Sequence, residues 1–427
     1  MGTIRGRCHV VIGAGPVGRA VALQLADQLD SFVVVVVDRS QSALAAARRL
    51  LGDLENVRFD ASLDPSGLSV QTRSLIMATS WKDCRNLVAE LLQRTHEASL
   101  HTPIVCVGRP DPDDPLRIPS DGPPVVLGAG LEPGLVEALV SLVAAELKDI
   151  RSIVTHCGGI PRIPEPPLNY SLAFGRRLPI EPRLALARIN GQAITRNRFE
   201  NVSSLFVDGV GLLEAYDDAM VSSTAADAHP SIPTLRQLTV RWPGFADGVR
   251  MLNRLGLLSG DEVEIGCARL QVRDVTEALL SRRSPNDGGD QVILDLAIED
   301  RHGRVARWTS ILRSALQERG FSSMAIATAV PVVAAVECVT RKQLRGPIHP
   351  GEANLADVAA IALGQMRRSR IAILAERATG LLATSTILGA AHAKAKDTAR
   401  GERTSKPCTA DVPEGTGIPG FAFARSP

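Results

Sequence analysis

Residues 10–38 leave this chain few folds to choose from. The apolar run Val10-Val11-Ile12 passes straight into Gly13-Ala14-Gly15-Pro16-Val17-Gly18, and an apolar helical spacing (Val17, Ala20, Val21, Leu23, Leu25) follows. A second apolar run, Phe32 to Val37, ends on Asp38. Strand, glycine turn, helix, strand and acid in that order make a βαβ unit of the Rossmann type, the form that holds a dinucleotide. Gly13 permits the tight turn, Gly15 lets the backbone approach a pyrophosphate, and Gly18 lets the helix pack on its strand. Pro16 and Val17 open a helix whose N-terminus offers N–H groups and partial positive charge to the phosphates. Asp38 follows Gly18 by 20 residues, where a carboxylate accepts from ribose hydroxyls and repels a 2′-phosphate. The unit points to NAD as cofactor. Arg39, able to pair with a 2′-phosphate, leaves NADP open.

The chain's 427 residues exceed one ordinary domain. Its balanced charge of +2 gives no steer toward nucleic acid or an anionic membrane, and 3% aromatic residues make a poor base-stacking surface. Seven dispersed cysteines (Cys8, Cys84, Cys106, Cys157, Cys267, Cys338, Cys408) form no CxxC pair. That pattern fits reduced thiols and argues against a disulfide framework or a metal site. The first apolar run is a strand rather than a signal peptide, and no apolar stretch is read as long enough to span a bilayer. The expected location is the cytoplasm.

Strand and helix alternate up to residue 150. Thr79-Ser80-Trp81 closes the fourth strand at the carboxyl edge where ligands of such sheets lie, so it either borders the nicotinamide or makes a plain turn. Later, a strand over 152–156 meets Cys157-Gly158-Gly159-Ile160-Pro161, and hairpins follow around Asn190-Gly191 and Asp300-Arg301-His302-Gly303. The expected fold is α/β, with an N-terminal Rossmann dinucleotide-binding domain (1–131). A second, α+β domain on a mixed or antiparallel sheet follows for substrate binding and dimerisation (132–350). C-terminal helices returning to the first domain (351–390) and a polar, flexible tail (391–427) complete it.

Taken in order, several pieces resemble one known family. They are Gly13 to Gly18, Gly130-Leu131-Glu132-Pro133-Gly134-Leu135, Cys157 to Pro161, Pro166-Pro167-Leu168-Asn169-Tyr170, Thr239 to Phe245, and His349-Pro350-Gly351-Glu352. The chain resembles the saccharopine dehydrogenase-like (saccharopine reductase) family, and most of all its lysine 6-dehydrogenase branch. The resemblance implies a homodimeric oxidoreductase that moves hydride between a nicotinamide cofactor and the amine-bearing carbon of an amino acid or amine. In the lysine branch the product cyclises to an imine. The saccharopine branch joins an amine to a carbonyl compound, and polyamine-forming reductases do the same with diamines. Glu132 and Phe245 depart from the family pattern (an aspartate or neutral residue, and a histidine) and would alter the substrate. A nucleotide-binding protein without turnover is the alternative of a different class.

Oxidising an amine requires a neutral nitrogen, so a proton acceptor belongs at the nicotinamide end of the cleft. Glu132, at a helix start, serves as that base, anchors an ammonium, or only stabilises the helix. Histidine is the side chain best suited to proton exchange, which makes His156 a second candidate, against a structural histidine. Tyr170 donates to substrate or fills the core. Arg241 is the candidate for a substrate carboxylate, which guanidinium grips in a fork, and Thr239 shares its strand face. Gly158 and Gly159 let the backbone come close to a ligand or make a turn.

Overall fold

A computed structural model of the chain describes residues 7–28, 32–63, 71–97, 100–108, 110, 116–170, 179–218, 228–281, 289–352, 356–368, 372–385 and 387–388. The tail expected over 391–427 lies outside the described residues.

The first half builds β1 (Cys8–Ile12), α1 (Pro16–Gln28), β2 (Val33–Val37), α2 (Gln41–Leu51), β3 (Val57–Asp60), β4 (Thr72–Met77), α3 (Trp81–Glu97), β5 (Ile104–Cys106), β6 (Val125–Leu127) and α4 (Leu135–Glu146). Apart from the edge strand β3, these strands are largely apolar and buried on both faces, as a helix-covered parallel sheet requires. The second half contributes β7 (Ile150–Pro161), β8 (Leu184–Ile189), β9 (Gln192–Asn197), β10 (Ser203–Val207), β11 (Gly211–Asp217), β12 (Thr234–Arg241) and α5 (Phe245–Arg254). Next come β13 (Glu262–Ile265), β14 (Ala268–Gln271), α6 (Val272–Ser281), β15 (Asp290–Asp300), β16 (Val305–Ser314) and α7 (Ser323–Lys342). β17 (Pro347–Ile348), α8 (Ala356–Arg368) and β18 (Ala372–Thr379) end the regular elements.

The first sheet is wholly parallel, in the order β17-β6-β5-β4-β1-β2-β3. Apart from β17 this is the Rossmann order, with its switch point beside β1. The second sheet is mixed and nine-stranded, with a main path β10-β11-β12-β7-β15-β16-β18 and the β8–β9 hairpin attached to β12. β7 and β12 run parallel at its centre. The predicted α/β class, with a Rossmann-type sheet and a second mixed sheet, is the fold observed.

Three local expectations change. Cys157 to Pro161 is not a turn: β7 runs through it, with Gly159 paired to Val292 and Pro161 to Asp290. Among the described residues, the segment expected as returning helices holds α8, then β18, which pairs with β16 in the second sheet, and a short 3-10 helix over Gly380–Thr384. A bilayer-length apolar helix does exist: α7 passes by length and composition, with 83% of its apolar window buried inside the protein. It lies between α1 and the face of β15 and β16, and its apolar residues belong to the largest core cluster.

Inside the first sheet, His9 of β1 is 5% exposed, with Nδ1 sharing a 2.7 Å hydrogen bond with the Ser74 hydroxyl. Burial, and then Arg73, push its pKa down to about 4. As pH falls, the unfolded chain therefore takes up this proton before the folded one does. The stability tied to a neutral His9 is whole above about pH 6.5 and is lost as pH falls toward about 4, by roughly 3 kcal/mol. Urea midpoints measured from pH 7 to 4 should fall less steeply in His9→Gln than in the wild type; parallel slopes would rule out this histidine.

Candidate functional site

The carboxyl ends of β5 and β6 and the start of α1 face the second sheet across a cleft of about 290 Å³. Val17 and Val107 line it from the first sheet, Glu132 from the loop after β6, and Met324 from α7. Cys157 and Gly158 of β7, with Thr239 and Arg241 of β12, line the opposite wall. Val17, at the start of the glycine-turn helix, and the residues after β5 and β6 thus face the second sheet at the carboxyl ends of the strands, where such sheets bind ligands.

On the nucleotide side Gly13 has φ +110°, a conformation an L side chain rarely adopts. A Cβ on Gly18 would stand 1.8 Å from the Gly13 carbonyl oxygen, whereas one on Gly15 would meet nothing within 4 Å. The turn is therefore tight behind Gly18 and open in front of Gly15, as a dinucleotide pyrophosphate needs. Asp38 accepts from Ala14 N at 2.7 Å and Ser40 N at 2.8 Å, which holds its carboxylate against the turn, with Arg39 exposed beside it. Of the next three candidates only Thr79 touches this region, its Cγ2 packing toward Gly13. Ser80 instead caps α3, its hydroxyl donating to Asp83 at 2.6 Å, and Trp81 is buried in the core with Cys84 and Val88. The apolar ring is drawn inward because it is the first residue of an amphipathic helix whose inner face includes Cys84 and Val88.

On the substrate side Arg241 is 3% exposed. One Nη donates to its own strand's Val240 carbonyl at 2.7 Å, Nε has no partner, and no described carboxylate forms an ion pair with it. Its guanidinium carbon lies 4.6 Å from the Tyr170 ring centroid and 5.6 Å from that of Phe245. Burial opposes its charge, but Tyr170, Tyr216 and Asp218 outweigh that, so it stays protonated. Gly158 makes room for it: a Cβ there would stand 2.8 Å from Arg241 Nη1. Gly159 makes equivalent room for Met324. Tyr170 packs behind Arg241 rather than lining the cleft, with its hydroxyl unpartnered among the described residues.

His156 is not brought to the cleft. It follows Thr155 and precedes Cys157 on a continuous strand, so alternation turns it to the opposite face from Cys157. There its Nδ1 shares a 2.8 Å hydrogen bond with Asp295, which also accepts from Arg307 and Thr309. Burial raises the Asp295 carboxyl, and the bonds from His156 and Arg307 more than reverse that. A groove of about 370 Å³ opens on that outer face, but its charges are already paired: Arg307 with Asp295, Arg377 with Asp208, Glu376 with Arg367.

Several cleft residues were not foreseen. Asp218 accepts from Arg183 at 2.7 Å, Arg198 at 2.6 Å and Thr239 at 2.8 Å. Burial would raise it, but Arg198 and Arg183 hold it down at about 2. Thr239 is thereby committed to Asp218. The Cys157 thiol is pushed well up by burial, and next by Glu132, against which it lies.

A family model described as Saccharopine dehydrogenase C-terminal domain matches residues 130–371. That span includes Glu132, Cys157 and Arg241 but not the glycine turn. Among solved structures, the apo saccharopine dehydrogenase (L-Glu forming) of Saccharomyces cerevisiae is 17% identical, covers 88% of this chain and 100% of its own, and has a TM-score of 0.64. This likeness speaks to fold. A myo-inositol dehydrogenase of Corynebacterium glutamicum is more remote, at 10% identity, coverages of 86% and 98%, and a TM-score of 0.39.

Proposed function

The chain belongs to the family of saccharopine dehydrogenase C-terminal domains, and from that premise we propose that it is a nicotinamide-dependent oxidoreductase acting on the carbon–nitrogen bond of an amino acid. One observation carries the reading: a buried guanidinium with no carboxylate ion pair among the described residues faces the same small cleft as the start of the glycine-turn helix. A buried charge of that kind is costly unless an anion completes it. The preferred substrate is a lysine-like amino acid, oxidised at its amine carbon to an aldehyde or cyclic imine.

The turn fits the cofactor, with space before Gly15 and a carboxylate at Asp38. When bound, the nicotinamide supplies the hydride acceptor. The chain does the rest. Arg241 grips the substrate carboxylate in a fork and fixes the amine carbon's reach. Glu132, across the cleft, takes the ammonium proton so that the nitrogen lone pair is free as hydride departs. Val17, Val107 and Met324 keep the wall apolar and exclude water.

A second reading, reductive joining of an amine to a carbonyl compound, draws on Arg183 and Arg198, two guanidinium groups that share the single carboxylate of Asp218 beside Arg241 in the cleft wall. The test is reduced-cofactor absorbance with NAD and NADP across L-lysine, other amino acids, diamines, and amine-plus-oxoacid pairs. Turnover of L-lysine alone supports the first reading and turnover of a pair the second; cofactor binding without any turnover would overturn both.

Asp38 selects NAD in this reading. Asp38→Ala should weaken NAD binding by roughly 10- to 30-fold and NADP binding several-fold less, since only the free 2′-hydroxyl loses an acceptor. Calorimetric titration of both cofactors decides it; equal losses would assign Asp38 to the turn alone.

A further inference from the structure

Glu137 sits in the first turn of α4, 1% exposed, and its Oε2 accepts from Gly134 N at 2.7 Å. Gly134 closes a compact loop that begins at Gly130: the two form a bridge, and Leu135 N donates to the Gly130 carbonyl at 2.9 Å. Glu132 stands at the tip of that loop, in the cleft.

A helix start normally draws its cap from its own N-cap side chain. Here that route is shut. Gly134 has φ +137°, and a Cβ there would lie 1.9 Å from the Gly130 carbonyl oxygen. The buried Gly134 N–H is satisfied from one turn further on, by the Glu137 carboxylate reaching back as the second half of a capping box, and a buried N–H left unmade is costly. Pro133 is wedged as well, since a Cβ on Gly128 would meet its Cγ at 2.8 Å. The loop is tightly packed at both ends, and the Glu137 bond fastens the second of them.

We propose that Glu137 is a positioning residue: by holding Gly134 it sets where the Glu132 carboxylate stands, and so the efficiency of proton transfer from substrate. The inference rests on Glu132 being the base. It is a matter of reach and not of charge, so a glutamine, which keeps the acceptor at the same distance, substitutes for Glu137 better than an aspartate does. Removing the acceptor lets the loop shift, and misplacement of a reacting group by about 1 Å costs on the order of 100-fold.

The experiment compares Glu137→Leu, Glu137→Gln, Glu137→Asp and Glu132→Gln in the full chain, using the amino acid that turns over fastest in the panel above. Melting temperature, cofactor affinity and amide hydrogen exchange of residues 132–135 are read alongside. Expected are a fall in kcat of roughly 100-fold for Glu137→Leu with cofactor affinity held within about twofold, faster exchange in the loop, and more kcat kept by Gln than by Asp. Should the Leu variant not fold, the Gln–Asp order and the exchange rates decide. A lower melting temperature with wild-type kcat would leave Glu137 a helix cap only, and Asp outperforming Gln would make its charge the active property. Wild-type kcat in Glu132→Gln overturns the base assignment itself, a separate outcome.

Discussion

Arg241→Met should raise the apparent KM for the amine substrate roughly 100-fold, the effect of losing a charge-assisted fork of about 3 kcal/mol, while the unliganded protein becomes no less stable. The two halves have one cause. Arg241 is 3% exposed among Tyr170, Tyr216 and Phe245, with an unpartnered Nε. An apolar chain of similar length fills the same space among the rings and leaves no Nε to satisfy, which offsets the lost cation–ring contacts. Steady-state kinetics and a thermal melt check both halves. A lower melting temperature with unchanged KM would make the residue structural and take the substrate carboxylate elsewhere.

Gly18→Ala should cost about 3 kcal/mol of stability and weaken nucleotide binding on the order of 100-fold, because its Cβ would enter the space of the Gly13 carbonyl. Helix α1 has little room to retreat, being packed on α7. Gly15→Ala is the contrast. Its Cβ meets nothing within 4 Å, so the fold should stay intact while the pyrophosphate loses its approach. Melting temperature and cofactor titration separate the two variants. If both lose stability alike, the opening before Gly15 is not the phosphate site.

The parts of this site legible in the sequence were those set by local geometry. The glycine turn reads directly because its spacing carries its geometry: Gly13 takes φ +110°, Gly18 lies against the Gly13 carbonyl, and Gly15 leaves open the space before it. Arg241 and Thr239 read from strand alternation. His156 was misplaced through a single question of strand length: ending β7 there aims the ring at the ligand, whereas running on to Pro161 gives Cys157 the cleft and His156 the far face. Ser80 and Trp81 failed for a similar reason, since α3 begins at once and takes them as cap and core. The Arg183–Asp218–Arg198 group depends on the pairing of strands far apart in sequence, which no local spacing encodes.

β17 pairs with β6 through Pro347 and Ile348, and the Gly346 carbonyl accepts from Val125 N at 2.8 Å. The parallel sheet is thus finished by residues that leave the ribosome more than two hundred positions after its other strands. Until then the nascent chain carries a bare edge on β6, the kind of template that recruits foreign strands. Expressing the nucleotide half alone should yield aggregation-prone material, and during synthesis chaperones would have to shield that edge until the last strand arrives.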